Sequence, residues 1–312
     1  MCKRLAKDRG ILGAEGELHF LLGNEAIARG TIEAGVHMAT TYPGTPASEI
    51  NDSLAEVARE VGMKVEYSTN EIVAVETAAG VAICGGRALV SMKHVGLNVA
   101  SDALMTLAYV GVRGGFVIVS ADDPYRWSSQ NEQDNRYYAL MGNIPCLEPS
   151  NPQEAKDMLL QAFQLSERLE LPVMLRLVTR VSHMRGVVSL GSIAERGMKL
   201  EPPHDSARFV MVPINARVRH CKLLEKEALA CQLAAQLEFN KVYGEGEVGV
   251  ITAGSAFNYT MEALDVLGVK ASVLKLGMIH PLSPELVKRF LGEHKRVAVI
   301  EELENQMNMK CI

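Results

Sequence analysis

The sequence lacks the features that mark several classes of protein. No C-x-x-C pair and no H-E-x-x-H spacing occur among its six cysteines and eight histidines. We therefore expect no disulfide framework and no zinc or iron–sulfur site made by this chain alone. The dispersed cysteines, which we interpret as reduced cytosolic thiols, are Cys2, Cys84, Cys146, Cys221, Cys231 and Cys311.

Membrane and nucleic-acid partners are also not expected. No apolar run reaches the roughly 18 residues of a membrane span. The start of the chain, residues 1–8, is basic but has no apolar segment behind it, so it does not read as a signal peptide. The net charge is −5, and the basic residues form no dense cluster. These features predict a cytoplasmic protein without a nucleic-acid partner.

What the chain does have is suited to layered α/β packing. Apolar residues make up 48% of its 312 residues and aromatic residues only 5%, and this length allows two domains. Predicted strands at 36–42, 64–67, 88–92, 116–120 and 173–178 alternate with predicted helices at 21–33, 47–60, 99–110 and 151–170. A further predicted helix opens at 68–69 and ends before a turn at 85–86. This alternation predicts a doubly wound parallel sheet.

A second, smaller α/β unit is predicted after an irregular passage. A helix over 223–238 precedes strands at 248–252, 271–276 and 296–300, with helices at 256–267 and 284–292 between them. We therefore divide the chain into a first domain over 17–190, a connecting segment over 191–222 and a second domain over 223–312.

Three polar loops follow strands of the first predicted sheet, at 43–46, 93–98 and 121–135. Ligands of open parallel sheets bind at the carboxyl ends of the strands. Because all three loops come after strands, we expect them to lie on one rim.

The stretch from Ser68 to Asn98 is the most unusual in the chain. Ser68 and Glu71 have the spacing of a capping box, which would explain Glu71 as a helix-opening residue without any chemistry. The helix behind it is rich in alanine and contains Gly80, which leaves a surface so small that another backbone can approach closely.

Several motifs in this order resemble a known family. N-E-I-V-A-V-E-T-A-A-G (70–80) is similar to the glutamate helix of pyrimidine-binding domains in thiamine-diphosphate enzymes. T-T-Y-P-G-T-P-A-S-E-I (40–50), M-K-H-V-G-L-N-V-A-S-D (92–102), V-I-V-S-A-D-D-P (117–124) and S-S-Q-N-E-Q-D-N-R (128–136) resemble the alpha subunits of indolepyruvate:ferredoxin oxidoreductases, within the 2-oxoacid:ferredoxin oxidoreductase superfamily. The resemblance runs from about residue 21 to 304. The second unit is similar to the carboxyl-terminal domain of transketolases.

The resemblance implies that Glu71 is catalytic and binds the cofactor, because the family's glutamate exchanges a proton with the pyrimidine ring of thiamine diphosphate. A carboxyl group in an apolar cleft has a raised pKa, which suits that exchange near neutrality. Glu76 is the rival. It lies five residues further on, roughly 140° around the helix, so the two carboxylates cannot both face the cofactor.

The same resemblance suggests residues that bind the 2-oxo acid. Thr45 matches the threonine of the family's substrate-facing turn, although Pro, Gly and Thr also make an ordinary turn. His94 is a candidate for substrate binding and Asn98 for cofactor binding, with Lys93 as a source of positive charge. A lone loop histidine is equally explained as a structural hydrogen-bonding group.

Two arginines are candidates for a clamp on the substrate carboxylate. Arg126 and Arg136 flank the S-S-Q-N-E-Q-D-N stretch, and the sequence does not choose between them. Surface ion pairing is the alternative role for each. The family often has a small residue where Arg126 and Trp127 stand.

Some elements of the family are missing. The G-D-G motif that holds magnesium and the diphosphate does not occur, nor do cysteine clusters for 4Fe–4S centres. The implied thiamine-diphosphate site is therefore shared. Magnesium and clusters would come from a longer form of the chain or from a diphosphate-domain partner, and the sequence does not separate these possibilities.

The complete enzyme would decarboxylate an aryl pyruvate, transfer the acyl group to coenzyme A and reduce ferredoxin. It would work with a beta (gamma-type) subunit in an oligomer. Two alternatives stay open: a related oxidoreductase for pyruvate or a branched-chain 2-oxo acid, and a non-catalytic assembly fragment.

Overall fold

The computed structural model describes residues 10–195 and 200–307. Cys2, Cys311 and residues 1–8, on which the signal-peptide expectation rests, lie outside the described residues. The strands are β1 Leu18–Leu22, β2 Met38–Thr41, β3 Lys64–Tyr67, β4 Ala88–Lys93, β5 Phe116–Asp122, β6 Cys146–Leu147, β7 Val173–Val178, β8 Arg185–Ser189, β9 Lys241–Tyr243, β10 Val248–Ala253, β11 Ala271–Leu276, β12 Met278–His280 and β13 Arg296–Ile300.

The helices alternate with these strands. They are α1 Gly23–Glu33, α2 Ser48–Val57, α3 Glu71–Ile83, α4 His94–Val99, α5 Ser101–Val110, α6 Arg136–Gly142, α7 Pro152–Leu169, α8 Thr179–His183, α9 Ser206–Phe209, α10 Pro213–Ala234, α11 Gly254–Leu267 and α12 Pro284–Glu293. Short 3-10 helices span Gly10–Leu12 and Pro124–Arg126.

The first sheet has seven strands in the order β12-β6-β7-β5-β4-β2-β3. Its strands pair in parallel except β12, which pairs antiparallel with β6 at one edge. Every residue of β5 and β7 is buried, because helices cover both faces of a parallel sheet. The predicted doubly wound parallel sheet is confirmed.

Helix α3 packs its alanine face on this sheet. Ala74, Ala78 and Ala82 are each 0% exposed, and the Thr40 hydroxyl donates to the Ala74 carbonyl at 2.8 Å. The small face predicted to admit another backbone is thus covered by the chain's own strands, because alanines at a spacing of four share one side of a helix. Gly80 lies on the exposed side.

The second sheet has four strands in the order β13-β10-β11-β9, of which β9 is antiparallel. One apolar cluster continues from β5 and β7 into β10 and β11 through Ile251 and Leu274. Strand β12 belongs to the chain segment assigned to the second domain, yet it pairs in the first sheet. The division at residues 190 and 222 stays a prediction.

Three local predictions were wrong. Residues 94–99 form helix α4 rather than a loop. The helix expected over 223–238 is α10, which begins at Pro213, inside the segment expected to be irregular. Leu21 and Leu22 belong to β1, which pairs antiparallel with β8 in a two-stranded sheet, so the first helix begins at Gly23.

Candidate active site

Segments that follow β2, β4 and β5 meet at the carboxyl edge of the first sheet. The Lys93 ammonium donates to the Ser128 carbonyl at 2.8 Å, and the Ser128 hydroxyl donates to the Thr45 carbonyl at 3.5 Å. His94 Nε2 lies 3.1 Å from the Asn131 carbonyl. The prediction that the three segments share one rim is confirmed.

The turn that carries Thr45 is held from helix α1. The side-chain amide of Asn24 donates to the Pro46 carbonyl at 2.7 Å and to the Glu49 carboxylate at 2.8 Å. Asn24 is 0% exposed, so this support is internal. Thr45 itself is exposed, and its role toward a substrate stays a prediction.

Glu71 is the first residue of helix α3. The cap is Asn70, whose side chain accepts a hydrogen bond from the Val73 backbone N–H at 2.9 Å. The Ser68 hydroxyl is directed to Glu66 instead, at 3.4 Å. The predicted capping box is therefore wrong, because asparagine satisfies the exposed N–H group two residues later than Ser68 would. Glu71 is not needed as a cap.

The Glu71 side chain lies against Gly96 in helix α4. A Cβ atom at position 96 would stand 2.7 Å from Glu71 Oε1 and 2.8 Å from its Cγ. Any larger residue at position 96 would force the Glu71 side chain to shift. Glu71 is half-buried, which is less than the dry cleft expected from the sequence, because α4 covers one side of it.

The Glu71 carboxylate has no hydrogen bond or ion pair within residues 10–195 and 200–307. A half-buried carboxylate without an internal partner is available to a ligand that can donate or share a proton. Glu76 is exposed on another side of the same helix. The structure thus separates the two carboxylates, as the helical period predicts.

His94 and Asn98 occupy opposite environments on α4. The His94 ring is 0% exposed beneath the 123–135 segment, and its Nδ1 atom is buried without a partner among the described residues. Burial lowers the pKa of His94, so the ring is neutral near pH 7. The 123–135 segment covers the ring, and the role of His94 as a substrate ligand stays a prediction.

Asn98 is exposed and donates to the Tyr138 hydroxyl at 2.6 Å. This bond fixes the amide at the outer end of α4. Its predicted role in binding the cofactor stays a prediction.

The two candidate arginines also differ. Arg126 is exposed on the rim and stays a candidate for the substrate carboxylate. Arg136 is 1% exposed and pairs with Asp134 at 2.5 Å and with Glu301 at 2.9 Å. It also donates to the carbonyls of Glu302 and Glu304. The Arg136 guanidinium N–H groups are thus engaged inside the protein, and its role as a clamp on the substrate stays a prediction.

A buried charge network supports the rim from below. Arg176, 0% exposed, pairs with Asp122 at 2.7 Å and with Glu148 at 2.6 Å. Burial raises the pKa of Asp122 to about 6, against the effect of Arg176. The neighbouring Asp134 carboxylate adds to this rise, and in the network as a whole four carboxylates share two guanidinium groups. They are Asp122, Asp134, Glu148 and Glu301.

Two further residues shape the rim, and sequence reasoning missed their roles. The Asp123 carboxylate accepts from the Ser128 N–H at 2.8 Å and from the Ser129 hydroxyl at 2.6 Å. Burial opposes its ionisation, but these hydrogen bonds lower the pKa of Asp123 overall. The buried Asn135 amide donates to the Ser120 hydroxyl at 2.7 Å and to the His94 carbonyl at 3.1 Å. The sequence signal that could have identified Asp123 is the Asp122–Asp123 pair at the end of the apolar strand β5.

Within the described ranges, no group of three or more His, Cys, Asp or Glu residues could hold a metal ion. No helix there is long and apolar enough to cross a membrane.

Comparison with known proteins adds a family to this geometry. Residues 29–231 match the family described as pyruvate flavodoxin/ferredoxin oxidoreductase, thiamine diphosphate-binding. The chain is 50% identical over 301 residues to indolepyruvate oxidoreductase subunit IorA of Methanothermobacter thermautotrophicus, covering 96% of this chain and 49% of that protein. It is 48% identical to the subunit of the same name from Archaeoglobus fulgidus, covering 93% and 48%. The chain thus spans about half the length of these curated relatives.

Two solved structures share the fold. The 2-oxoglutarate:ferredoxin oxidoreductase from Magnetococcus marinus matches with a TM-score of 0.76 and 17% identity, over 95% of this chain and 60% of that one. A split-gene transketolase, described as an inactive beta4 tetramer, matches with a TM-score of 0.57 and 16% identity, over 91% and 80%. At these identities the likeness concerns the fold alone.

Proposed function

The chain belongs to the thiamine-diphosphate-binding family of pyruvate flavodoxin/ferredoxin oxidoreductases, and from this premise we propose that it forms the pyrimidine-binding half of an aryl-pyruvate:ferredoxin oxidoreductase. The observation that carries the proposal is the Glu71 carboxylate. It stands at the start of α3, against Gly96, with no partner in the part of the chain that the structure describes. Indolepyruvate is the proposed substrate, since curated relatives at 44–50% identity carry that name.

The residues present fit the pyrimidine ring of thiamine diphosphate. The close approach that Gly96 permits leaves the Glu71 carboxyl group beside α4, where it would exchange a proton with a ring nitrogen. Asn98 stands at the outer end of the same helix. The bound cofactor would supply the electronic stabilisation that decarboxylation of a 2-oxo acid needs.

The other rim residues act on the 2-oxo acid. Lys93 is a cation beside the exposed Thr45 turn, since both contact Ser128. An ammonium group and a hydroxyl can bind a carboxylate and a carbonyl oxygen by charge-assisted and neutral hydrogen bonds. Arg126 is the exposed guanidinium on the same rim and offers a second cation.

The remaining functions belong outside residues 1–312. We propose that magnesium, the diphosphate and the 4Fe–4S clusters are held by a diphosphate domain and cluster domains, in a longer chain or in partner subunits. Coenzyme A, ferredoxin and a beta subunit complete the proposed cytoplasmic enzyme.

A panel of 2-oxo acids tests the substrate. The assembled enzyme that carries this chain is supplied with thiamine diphosphate, coenzyme A and ferredoxin, and ferredoxin reduction is followed with indolepyruvate, phenylpyruvate, pyruvate and 2-oxoglutarate. We expect the largest kcat/KM with an aryl pyruvate. A preference for pyruvate or 2-oxoglutarate would refute the aryl assignment but leave the cofactor assignment standing. No thiamine-dependent activity with any acid would favour the assembly role.

A further inference from the structure

Two aromatic rings stand in solvent beside the proposed site. Tyr125 is 69% exposed and Trp127 is 65% exposed, and their ring centroids lie 5.4 Å apart at an interplanar angle of 48°. Trp127 is the one tryptophan of the sequence. Large aromatic rings ordinarily contribute to a core or an interface, and neither ring belongs to the apolar clusters formed by residues 10–195 and 200–307.

The backbone that carries the rings is held in an unusual conformation. Tyr125 and Arg126 both have positive φ angles, 69° and 58°. Residues other than glycine seldom adopt this region of backbone conformation. The segment is fixed by hydrogen bonds: the Tyr125 N–H donates to Glu132 at 2.5 Å, and the Trp127 N–H donates to Asp123 at 3.2 Å. Such strained backbone persists only where its surroundings impose it, and it is common at ligand sites.

The ring pair is joined directly to the rim. Ser128, the residue after Trp127, contacts Lys93 and the Thr45 turn. The Lys93 ammonium uses one donor on the Ser128 carbonyl, and an ammonium group has three. A cation for a carboxylate therefore lies next to two rings that can stack on an apolar group.

We propose that Tyr125 and Trp127 form the surface on which the aryl ring of the 2-oxo acid stacks. This inference rests on the proposed function and adds the residues that select the substrate. An aryl pyruvate has a ring at one end and a carboxylate at the other, which matches the rings and Lys93. Aromatic pairs prefer offset or edge-to-face contacts with centroids about 4.5–7 Å apart. The interplanar angle of 48° between the two rings therefore leaves room for such a contact with the aryl ring of the substrate.

The test compares substrates in the assembled enzyme. The variants are Tyr125→Ala, Trp127→Ala, Trp127→Phe and the double alanine variant. Tyr259→Ala serves as the matched control, because Tyr259 is 53% exposed on α11. We expect each alanine variant to lower kcat/KM for phenylpyruvate about 2- to 12-fold while that for pyruvate stays constant. Trp127→Phe should retain most of the activity, and Tyr259→Ala should change neither.

Fluorescence provides a second readout that does not depend on turnover. The difference in emission between the wild type and Trp127→Phe isolates Trp127 from the tryptophans of other domains. Phenylpyruvate should quench this signal with saturation, and pyruvate should not.

The outcomes separate the two proposals. If the wild type uses aryl acids and the double variant retains their full kcat/KM, the stacking surface is refuted and the proposed function stands. If kcat/KM falls equally for aryl and small acids, the rings serve the loop structure and stacking is refuted. If the wild type uses no aryl acid at all, both proposals fail. A Trp127 signal insensitive to phenylpyruvate also contradicts stacking.

Discussion

Replacing Gly96 with alanine perturbs Glu71 without touching it covalently. The added Cβ would lie 2.7 Å from Glu71 Oε1 and 3.1 Å from its Cδ. Carbon and oxygen atoms in weak contact stay at roughly 3.3 Å or more. The carboxylate therefore has to move by about 0.6 Å or rotate away from α4.

Such a displacement is large for a catalytic group. A misplacement of about 1 Å costs roughly 100-fold in rate, so we expect kcat to fall about 10- to 100-fold in Gly96→Ala. Stability should change little. Alanine gains about 0.5–1 kcal/mol over glycine within a helix, which offsets part of the overpacking cost of about 1–3 kcal/mol.

The assay is ferredoxin reduction by the assembled enzyme with saturating thiamine diphosphate and substrate. Gly292→Ala is the matched control: Gly292 lies inside α12, and a Cβ there meets nothing within 4 Å. It should leave kcat unchanged and raise the free energy of unfolding by about 0.5–1 kcal/mol. In a Glu71→Gln background, Gly96→Ala should have little further effect, because the two changes act on one group. Full activity in Gly96→Ala would refute the claim that this contact positions Glu71.

Three further predictions concern stability. Arg136→Met should lower the free energy of unfolding by about 3–5 kcal/mol in urea titrations, because two buried carboxylates lose their cation. Arg126→Met, at an exposed position, should change it by less than about 0.5 kcal/mol. Equal, small effects of the two substitutions would contradict the burial of Arg136. Between pH 4 and 7 the free energy of unfolding should fall by about 2 kcal/mol through Asp122, because its folded pKa of about 6 keeps a proton that the unfolded carboxyl releases near 3.8. A difference between wild type and Asp122→Asn that is independent of pH would refute this. In thermal denaturation, Asn70→Ala should destabilise the protein by about 1 kcal/mol, and Ser68→Ala should destabilise it less. The reverse order would indicate that Ser68, and not Asn70, caps α3.

Strand positions could be predicted from the sequence where a short local run of residues is enough to specify a strand. The bounds of β3, β7, β11 and β13 agree with the sequence expectation, because β-branched and apolar runs between glycine and polar residues specify a strand on their own. The Ser283 hydroxyl, directly before Pro284, caps α12 by accepting from the Leu286 N–H.

Pairings between distant segments were not predictable. β1 pairs with β8 across more than 160 residues, and β12 joins a sheet assigned to the other half of the chain. A short strand takes its partner from the tertiary fold, and its own composition carries no information about which edge is open.

The candidate site shows the same division. The order of strand-following loops was sufficient to place Thr45, Lys93 and Ser128 on one rim. The burial of Arg136 was not predictable, because Glu301, with which it pairs, lies 165 residues further along the chain. The contact between Glu71 and Gly96 joins two helices. The sequence around Gly96 does not indicate which side chain of another helix packs against this glycine.

The most direct test of the account is a comparison of Glu71→Gln with Glu76→Gln in the assembled enzyme. Glutamine keeps the shape of the side chain and removes the acid, so thiamine-diphosphate binding should persist in both variants. We predict that Glu71→Gln loses at least about 100-fold in kcat, while Glu76→Gln turns over substrate like the wild type. Wild-type turnover in Glu71→Gln would contradict the assignment of the catalytic carboxylate.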